Sequence, residues 1–424
     1  MKRVIRNVGF VSTRIAGTDG VSLEIKKWTD VLERNRYSCF FLAGELDREE
    51  DRSMLVESAH FKHPEIEEIT DACFGVHTRS PEMTQRIHRH AQSLKEAIRT
   101  FVKQFDIDCL IPENALTIPM NIPLGVALTE FLAETGMPAV AHHHDFYWER
   151  DRFLINGVGD FLQMAFPPGL YSIHHAVLNQ VASRTLNYRV GVSNTIIPNV
   201  YDYETEPPKH NSETTRRLRA EVGLDDGDIL VLQPTRVVQR KAIERSIDLV
   251  SQLDGDHPTL VISHAADDEG TEYFERISEY ADMVGVRLVA IDRLIGPNDE
   301  LSGLMAKEQL NTKYTISDIY QAADLVSYPS QYEGFGNAFL ETIYYKKPIV
   351  VNRYTSFITD IEPRGFDLLL LNGLVTKQTI AAVQSILTNE TRREEMVERN
   401  YAIAKNYFSY ECLERNLTDI LERF

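Results

Sequence analysis

Two rhythms of apolar residues alternate along this chain. Short, nearly unbroken apolar runs predict buried strands, and longer stretches in which apolar residues return every three or four positions predict amphipathic helices. In the first half, Val8 to Ser12, Ser38 to Leu42, Cys109 to Pro112 and Ala139 to His142 predict strands, and Val21 to Arg34 predicts a helix. Gln85 to Phe105 is the clearest helix, with Ile87, Ala91, Leu94, Ile98, Phe101, Val102 and Phe105 on one face. The pattern stops near Ile196. Pro198-Asn199-Val200 and a polar, proline-bearing stretch from Glu204 to Glu213 then mark a domain boundary. A second set follows, with strands expected at Ile229 to Gln233, Thr259 to Ser263, Val286 to Ile291, Leu325 to Tyr328 and Ile349 to Asn352. A last helix, about Arg392 to Phe424, is interrupted near Tyr407 to Tyr410. Strand and helix in alternation predict the α/β class, with parallel sheets covered by helices. The expected architecture is two doubly wound, Rossmann-like domains, 1–200 and 201–404, facing a central cleft, with a helix at about 405–424 packing back on the first. Ligands of such sheets sit beyond the carboxyl ends of the strands.

Composition narrows the function classes. No apolar run approaches the ~18–20 residues that cross a bilayer. Met1 to Gly17, interrupted by Arg6 and Asn7, reads as a first strand and not as a secretion signal. The 45 Lys and Arg against 63 Asp and Glu give a formal charge of -18. A field of that sign repels nucleic acid and anionic lipid, so neither is an expected partner, and membrane association is not expected. Gln85 to Phe105 does carry Arg86, Arg89, Lys95, Arg99 and Lys103 against Glu96, but its apolar stripe is explained by core packing. Cys39, Cys73, Cys109 and Cys412 form no CxxC pair, which points to reduced thiols in a cytoplasmic protein. The acidity sets a condition: a site for a phosphate anion must be made locally positive by a few clustered cations.

Four segments carry candidate chemistry. In the first, strand gives way to glycines and then to a helix: Tyr328-Pro329-Ser330-Gln331-Tyr332-Glu333-Gly334-Phe335-Gly336-Asn337-Ala338-Phe339-Leu340-Glu341. Glycines admit a ligand close to the backbone, and the N–H groups that open a helix attract phosphate or hydroxyl oxygens. Glu333 and Glu341 flank that helix start, and carboxylates accept paired sugar or ribose hydroxyls. The bland alternative is a turn and a helix with surface glutamates. The second segment, Pro234-Thr235-Arg236-Val237-Val238-Gln239-Arg240-Lys241, follows a strand. Arg236 and Lys241 can converge on a diphosphate, with Arg240 the lesser candidate. The alternative is a solvated basic turn. The third, Gly17-Thr18-Asp19-Gly20, is either a ligand-approaching loop or an ordinary strand-to-helix turn. The fourth is His142-His143-His144-Asp145-Phe146-Tyr147-Trp148-Glu149-Arg150-Asp151-Arg152. Strand geometry sends His142 and His144 to one face. They can fill a core, or hold a metal with Asp145 or Glu149. Arg150 and Arg152 suit an anionic ligand group, such as a carboxylate, or a salt-bridged loop. Pro112-Glu113-Asn114 follows a strand in the first half, as a ligand contact or a capped turn.

These segments, in this order, resemble the retaining glycosyltransferases of family 4, which have the GT-B fold. That family carries two glutamates separated by seven residues with Gly-Phe-Gly after the first, as in Glu333, Gly334, Phe335, Gly336 and Glu341. Pro329-Ser330, Lys347-Pro348-Ile349-Val350, the Tyr320 to Asp324 element and the Pro-Asn segment Ile197 to Asp202 fit as well. The resemblance implies that Arg236, Lys241, Glu333 and His144 are catalytic. The first two would take the diphosphate, and Glu333 and His144 would meet the transferred sugar. Gly20, Gly334, Phe335, Gly336, Asn337 and Glu341 would bind the donor, Glu341 through its ribose. Gly17, Asp19, Glu113, Asn114, Asp145, Arg150 and Arg152 would face the acceptor. The family usually has a glycine where this chain has Ala242, and adjacent glycines where Thr18 and Asp19 intervene here. The implied activity moves a hexose from a nucleotide sugar, GDP-mannose or UDP-glucose, to a small soluble acceptor such as a glycerate-type solute. It needs no tightly bound cofactor, and a divalent metal is compatible but not demanded. A lipid or polysaccharide acceptor, a phosphorylase of the same fold, and a non-catalytic sugar or nucleotide sensor stay open as alternatives. An NAD enzyme would need a GxGxxG turn that Gly17 and Gly20 do not supply.

Overall fold

The computed structural model describes residues 4–17, 19–225, 227–254, 258–264, 271–296 and 313–424. Thr18, in the third segment above, lies outside them. The chain divides into two compact units, Met1–Asn199 with Tyr410–Phe424, and Val200–Ser409.

The first unit is built on seven parallel strands: β1 (Asn7–Val11), β2 (Ser38–Ala43), β3 (Ser53–Leu55), β4 (Cys109–Pro112), β5 (Ala139–His143), β6 (Ile173–Val177) and β7 (Asn194–Ile196). Their order is β3-β2-β1-β4-β5-β6-β7, so the winding reverses between β1 and β4. The helix Pro81–Gln104 begins before Gln85. Pro81 sits in its first turn and the Ser80 hydroxyl accepts from Met83 N at 3.2 Å, two helix-start signals in series. Its basic side is paired within the unit: Lys95 Nζ lies 2.7 Å from both Glu130 and Glu134, and Arg86 2.6 Å from Glu68. The Ile122–Thr135 helix beside it is apolar nearly all round and buried along most of its length. The helix Tyr410–Leu421 packs on Gly20–Arg34, with the Arg34 guanidinium over the Tyr410 ring at 5.1 Å.

The second unit carries a six-stranded parallel sheet: β8 (Leu230–Gln233), β9 (Thr259–Ile262) and β10 (Arg287–Ala290), then β13 (Leu325–Tyr328), β14 (Ile349–Asn352) and β15 (Leu369–Leu371). Between β10 and β13 a short separate pair forms from β11 (Ile295–Gly296) and β12 (Tyr314–Thr315). The order of the large sheet is β10-β9-β8-β13-β14-β15, which reverses between β8 and β13. In both units the reversal splits the loops that leave adjacent strands toward opposite sides and opens a crevice at their carboxyl ends.

Candidate functional site

In the second unit, the loops after β8 and β13 meet at the reversal point. The chain leaving β8 makes a short 3₁₀ turn, Gln239–Lys241. The Gln233 side-chain amide donates to Lys241 O at 3.2 Å, and Gln331 N donates to Arg240 O at 2.8 Å, tying this turn to the neighbouring loop. Glu333 thereby comes between two cations. Arg240 Nη1 lies 2.8 Å from its Oε2, and Lys241 Nζ donates to its Oε1. The carboxylate is 9% exposed. Burial opposes its charge, but Lys241 and then Arg240 outweigh burial and hold its pKa at about 2. Burial is also the main influence on Lys241, whose pKa is lowered although Glu333 counteracts the shift. Arg236 is exposed, and its charge further depresses that of Lys241. Arg240 thus shares Glu333 with Lys241.

The glycine loop is held from behind by residues that follow β14. The Tyr354 hydroxyl donates to Phe335 O at 2.8 Å, Ser356 Oγ to Glu333 O at 2.8 Å, and Asn352 Nδ2 to Ser330 O at 2.8 Å. The Phe335 side chain is buried against Phe408, so that residue offers only backbone to a ligand. Gly336 has φ 119°, and a Cβ there would lie 2.7 Å from the Tyr354 hydroxyl. The position therefore excludes side chains. Asn337 opens the helix Asn337–Tyr344, and Gly334 is exposed beside it. Glu341, one turn into that helix, accepts from the Tyr320 hydroxyl at 3.0 Å, which fixes one of its oxygens. Ala242, where the family usually has glycine, adopts the left-handed conformation that glycine favours (φ 49°, ψ 51°).

In the first unit, a polar cluster gathers at the ends of β4 and β5. Glu113 is fully buried, with His142 Nδ1 at 3.0 Å and His144 Nε2 at 3.1 Å from its Oε2. His142 also stacks on Trp28. Burial opposes charge on Glu113, yet His142 and His144 lower its pKa. Burial likewise opposes charge on His144, but Glu113, with Glu24 and Asp145, raises it. Asn114, at φ 57°, accepts from His144 N at 3.2 Å and donates to Asp145 Oδ1 at 3.2 Å. His143 points the other way and meets His175 of β6 at 2.8 Å.

The structure redistributes several expected roles here. The third group that joins His142 and His144 is Glu113, the three donor atoms lying within 4.8 Å. Asp145 is instead engaged by Arg150 (Nε to Oδ2, 2.6 Å), and Glu149 accepts from Phe146 N at 2.9 Å. A transition metal with ligand distances of ~2.0–2.2 Å would be held by Glu113, His142 and His144, where the carboxylate now bridges both rings. Arg150 thus belongs to a salt-bridged loop. Arg152 lies over Phe153 at 4.6 Å, with a nitrogen 2.9 Å from Met120 Sδ. Asp19 is the N-cap of the helix Gly20–Arg34, accepting from Val21 N and Ser22 N, and it pairs with Arg14 at 3.1 Å. The positive φ of that loop falls at Gly17 (77°), while Gly20 is simply the first helical residue. Trp28, Glu24, Tyr320, Asn352, Tyr354 and Ser356 escaped the sequence reading as parts of the two clusters. Only the Tyr320 to Asp324 element gave any signal.

Residues 307–403 match the family model described as glycosyl transferases group 1. Over 440 aligned residues, covering 96% of either chain, the protein is 31% identical to a mannosylglucosylglycerate synthase of Thermotoga maritima. It belongs to the group 1 glycosyl transferases. A mannosylglucosylglycerate synthase of Petrotoga mobilis is 28% identical over 400 residues, 86% of each chain. Among solved structures, this glycosyltransferase is similar to Anabaena HepE in complex with UDP and glucose, with TM-score 0.63, 14% identity and 99% and 100% of the two chains covered. A glycosyltransferase from Rickettsia africae superposes with TM-score 0.70 at 13% identity, covering 99% and 98%. At these identities the two structures establish the GT-B fold. Among the described residues of this transferase, no helix is long and apolar enough to cross a membrane.

Proposed function

We propose that the protein transfers a mannosyl unit from GDP-mannose to glucosylglycerate, with retention at the anomeric carbon. The observation that carries this reading is the 31% identity over 96% of the chain to a relative named for that product. The second-unit cluster supports the donor half. As the bond from C1 to the phosphate oxygen breaks, negative charge grows on the nucleoside diphosphate. Lys241 and Arg236 stabilise that charge, aided by the N–H groups that open the helix at Asn337. The acceptor hydroxyl forms the new bond to C1 on the same face, and its proton passes to a leaving phosphate oxygen. Glu333 takes sugar hydroxyls and Glu341 the ribose. In the first unit, Glu113, Asn114, His144 and Asp145 are the acceptor-side groups, and His144 also meets the sugar. Neither cluster supplies a group that the reaction requires as a covalent nucleophile.

The test incubates purified enzyme with glucosylglycerate and either GDP-mannose or UDP-glucose, with and without EDTA. Nucleoside diphosphate release is followed, the product is weighed by mass spectrometry and its anomeric signal read by NMR. A mannosylated product of retained configuration, formed from GDP-mannose and unaffected by EDTA, is expected. Transfer only from UDP-glucose overturns the donor assignment. Inverted product overturns the mechanism.

A further inference from the structure

We propose that Arg240 is a positioning residue that keeps the Glu333 carboxylate in place when Lys241 turns to the donor's diphosphate. The inference rests on the donor reading above, but the resemblance assigns phosphate contacts to Arg236 and Lys241 and leaves Arg240 without a task.

Glu333 has one cation on each oxygen, Lys241 on Oε1 and Arg240 on Oε2. An arriving diphosphate competes for Lys241, whose compact ammonium is the adaptable partner of the two. A carboxylate left buried with no cation would be strongly destabilised. Arg240 prevents that state. Its side chain is bound to the same loop as Glu333, with Nη1 3.4 Å from Tyr332 O and the guanidinium 5.7 Å from the Tyr332 ring centroid. Its main-chain carbonyl accepts from Gln331 N at 2.8 Å. Arg240 is thus fastened to residues 331–333 at both ends, whereas Lys241 reaches that loop through its ammonium, by way of Glu333. The geometry divides the work: one cation for the phosphate, the other to hold the sugar-facing carboxylate.

The titratable groups that face Glu333 are Arg240 and Lys241 from the β8 loop, Tyr328 at the end of β13 and Tyr354 after β14, with the Ser330 hydroxyl beside them. Both tyrosines have pKa values pushed well above 10 by burial and then by Glu333, so they stay neutral. Arg240 and Lys241 favour the charged carboxylate, and removing Arg240 moves the Glu333 titration upward in pH.

The experiment compares wild type, Arg240→Ala, Arg240→Lys and Lys241→Ala. GDP affinity is measured by calorimetry, and kcat and KM for GDP-mannose across pH. In Arg240→Ala, GDP affinity is expected to stay within about twofold, kcat to fall about tenfold or more, and the acid limb of kcat to move to higher pH. Arg240→Lys recovers part of kcat and confirms that the fold is retained. A large loss of GDP affinity in Arg240→Ala overturns the proposal by making Arg240 a phosphate ligand. An unchanged kcat and pH profile overturns it by making Arg240 a bystander. If Lys241→Ala leaves GDP affinity unchanged, the donor reading itself fails, and that outcome is separate from either result for Arg240.

Discussion

At the scale of single residues, the second-unit cluster is a matter of who holds whom. Lys241 and Arg240 share the Glu333 carboxylate in the free protein, so Lys241→Ala removes one of its two cations and, on the proposed reading, a phosphate ligand. Its expected cost is a drop in kcat of ~10²–10³, as for other donors aimed at developing charge. Glu341→Ala should chiefly raise KM for the donor, because ribose contacts persist from ground state to transition state. Steady-state kinetics of the two variants checks both, and an unchanged KM in Glu341→Ala removes that residue from the ribose. Much of this was legible in order and spacing: the two glutamates, the glycines between them, and the basic turn after a strand. What stayed hidden depended on contacts across the sheet. The pairing of Arg240 with Glu333 stayed hidden because spacing cannot say that this guanidinium turns toward that carboxylate. Glu113 read as either an acceptor contact or a capped turn, and its place between two imidazoles stayed hidden because its partners lie 29 and 31 residues away, on and just after β5. Ala242 shows a mild departure made physical: alanine bears a left-handed conformation that costs a non-glycine about 1–3 kcal/mol.

Among elements, the glycine loop is the piece whose shape matters most. Tyr354, Ser356 and Asn352 clamp its carbonyls, and Gly336 lets it turn into the helix Asn337–Tyr344. Gly336→Ala combines a positive φ with a contact on the Tyr354 hydroxyl. It should lower stability by about 1–3 kcal/mol and weaken donor binding. Tyr354→Phe in the same chain should return part of the loss by removing the crowding oxygen. Urea denaturation and nucleotide titration of the single and double variants test this. No recovery in the double variant would place the whole cost in the backbone. Strands with bare apolar runs, such as β1, β4, β13 and β14, were readable to within a residue or so at either end. The three-residue strands β3, β7 and β15 were not, because a run that short has no measurable period. The Ile122–Thr135 helix went unread for the opposite reason: a helix buried on nearly every side has no polar face to mark its turn.

For the whole molecule, acid stability separates into two windows. His143 and His175 are buried and hydrogen-bonded to each other, and burial lowers both pKa values, that of His175 to about 4. The unfolded chain then binds protons first, so stability falls as pH drops from the ordinary histidine value of 6.5 toward 4. The slope approaches about 1.4 kcal/mol per pH unit for each histidine. Glu333, held at about 2, contributes stability above the ordinary carboxyl value of 4.5 and loses it only below that. Replacing both histidines with leucine should make the upper window shallower, with His60, His90 and His174, also lowered by burial, keeping the remainder, and leave the lower one. Urea midpoints at ~pH 7, 6 and 5 read the difference, and an unaltered slope would assign it to other groups. The division of the chain has a further consequence, for synthesis. The first unit consists of Met1–Asn199 and Tyr410–Phe424, and its helix Gly20–Arg34 packs against Tyr410–Leu421. A ribosome makes all of Val200–Ser409 before that partner emerges. At ~5–20 residues per second the delay is roughly 10–40 s. The first unit is therefore completed only after the second has been made, and until then its Gly20–Arg34 helix lacks the buried face of Leu413, Leu417, Ile420 and Leu421.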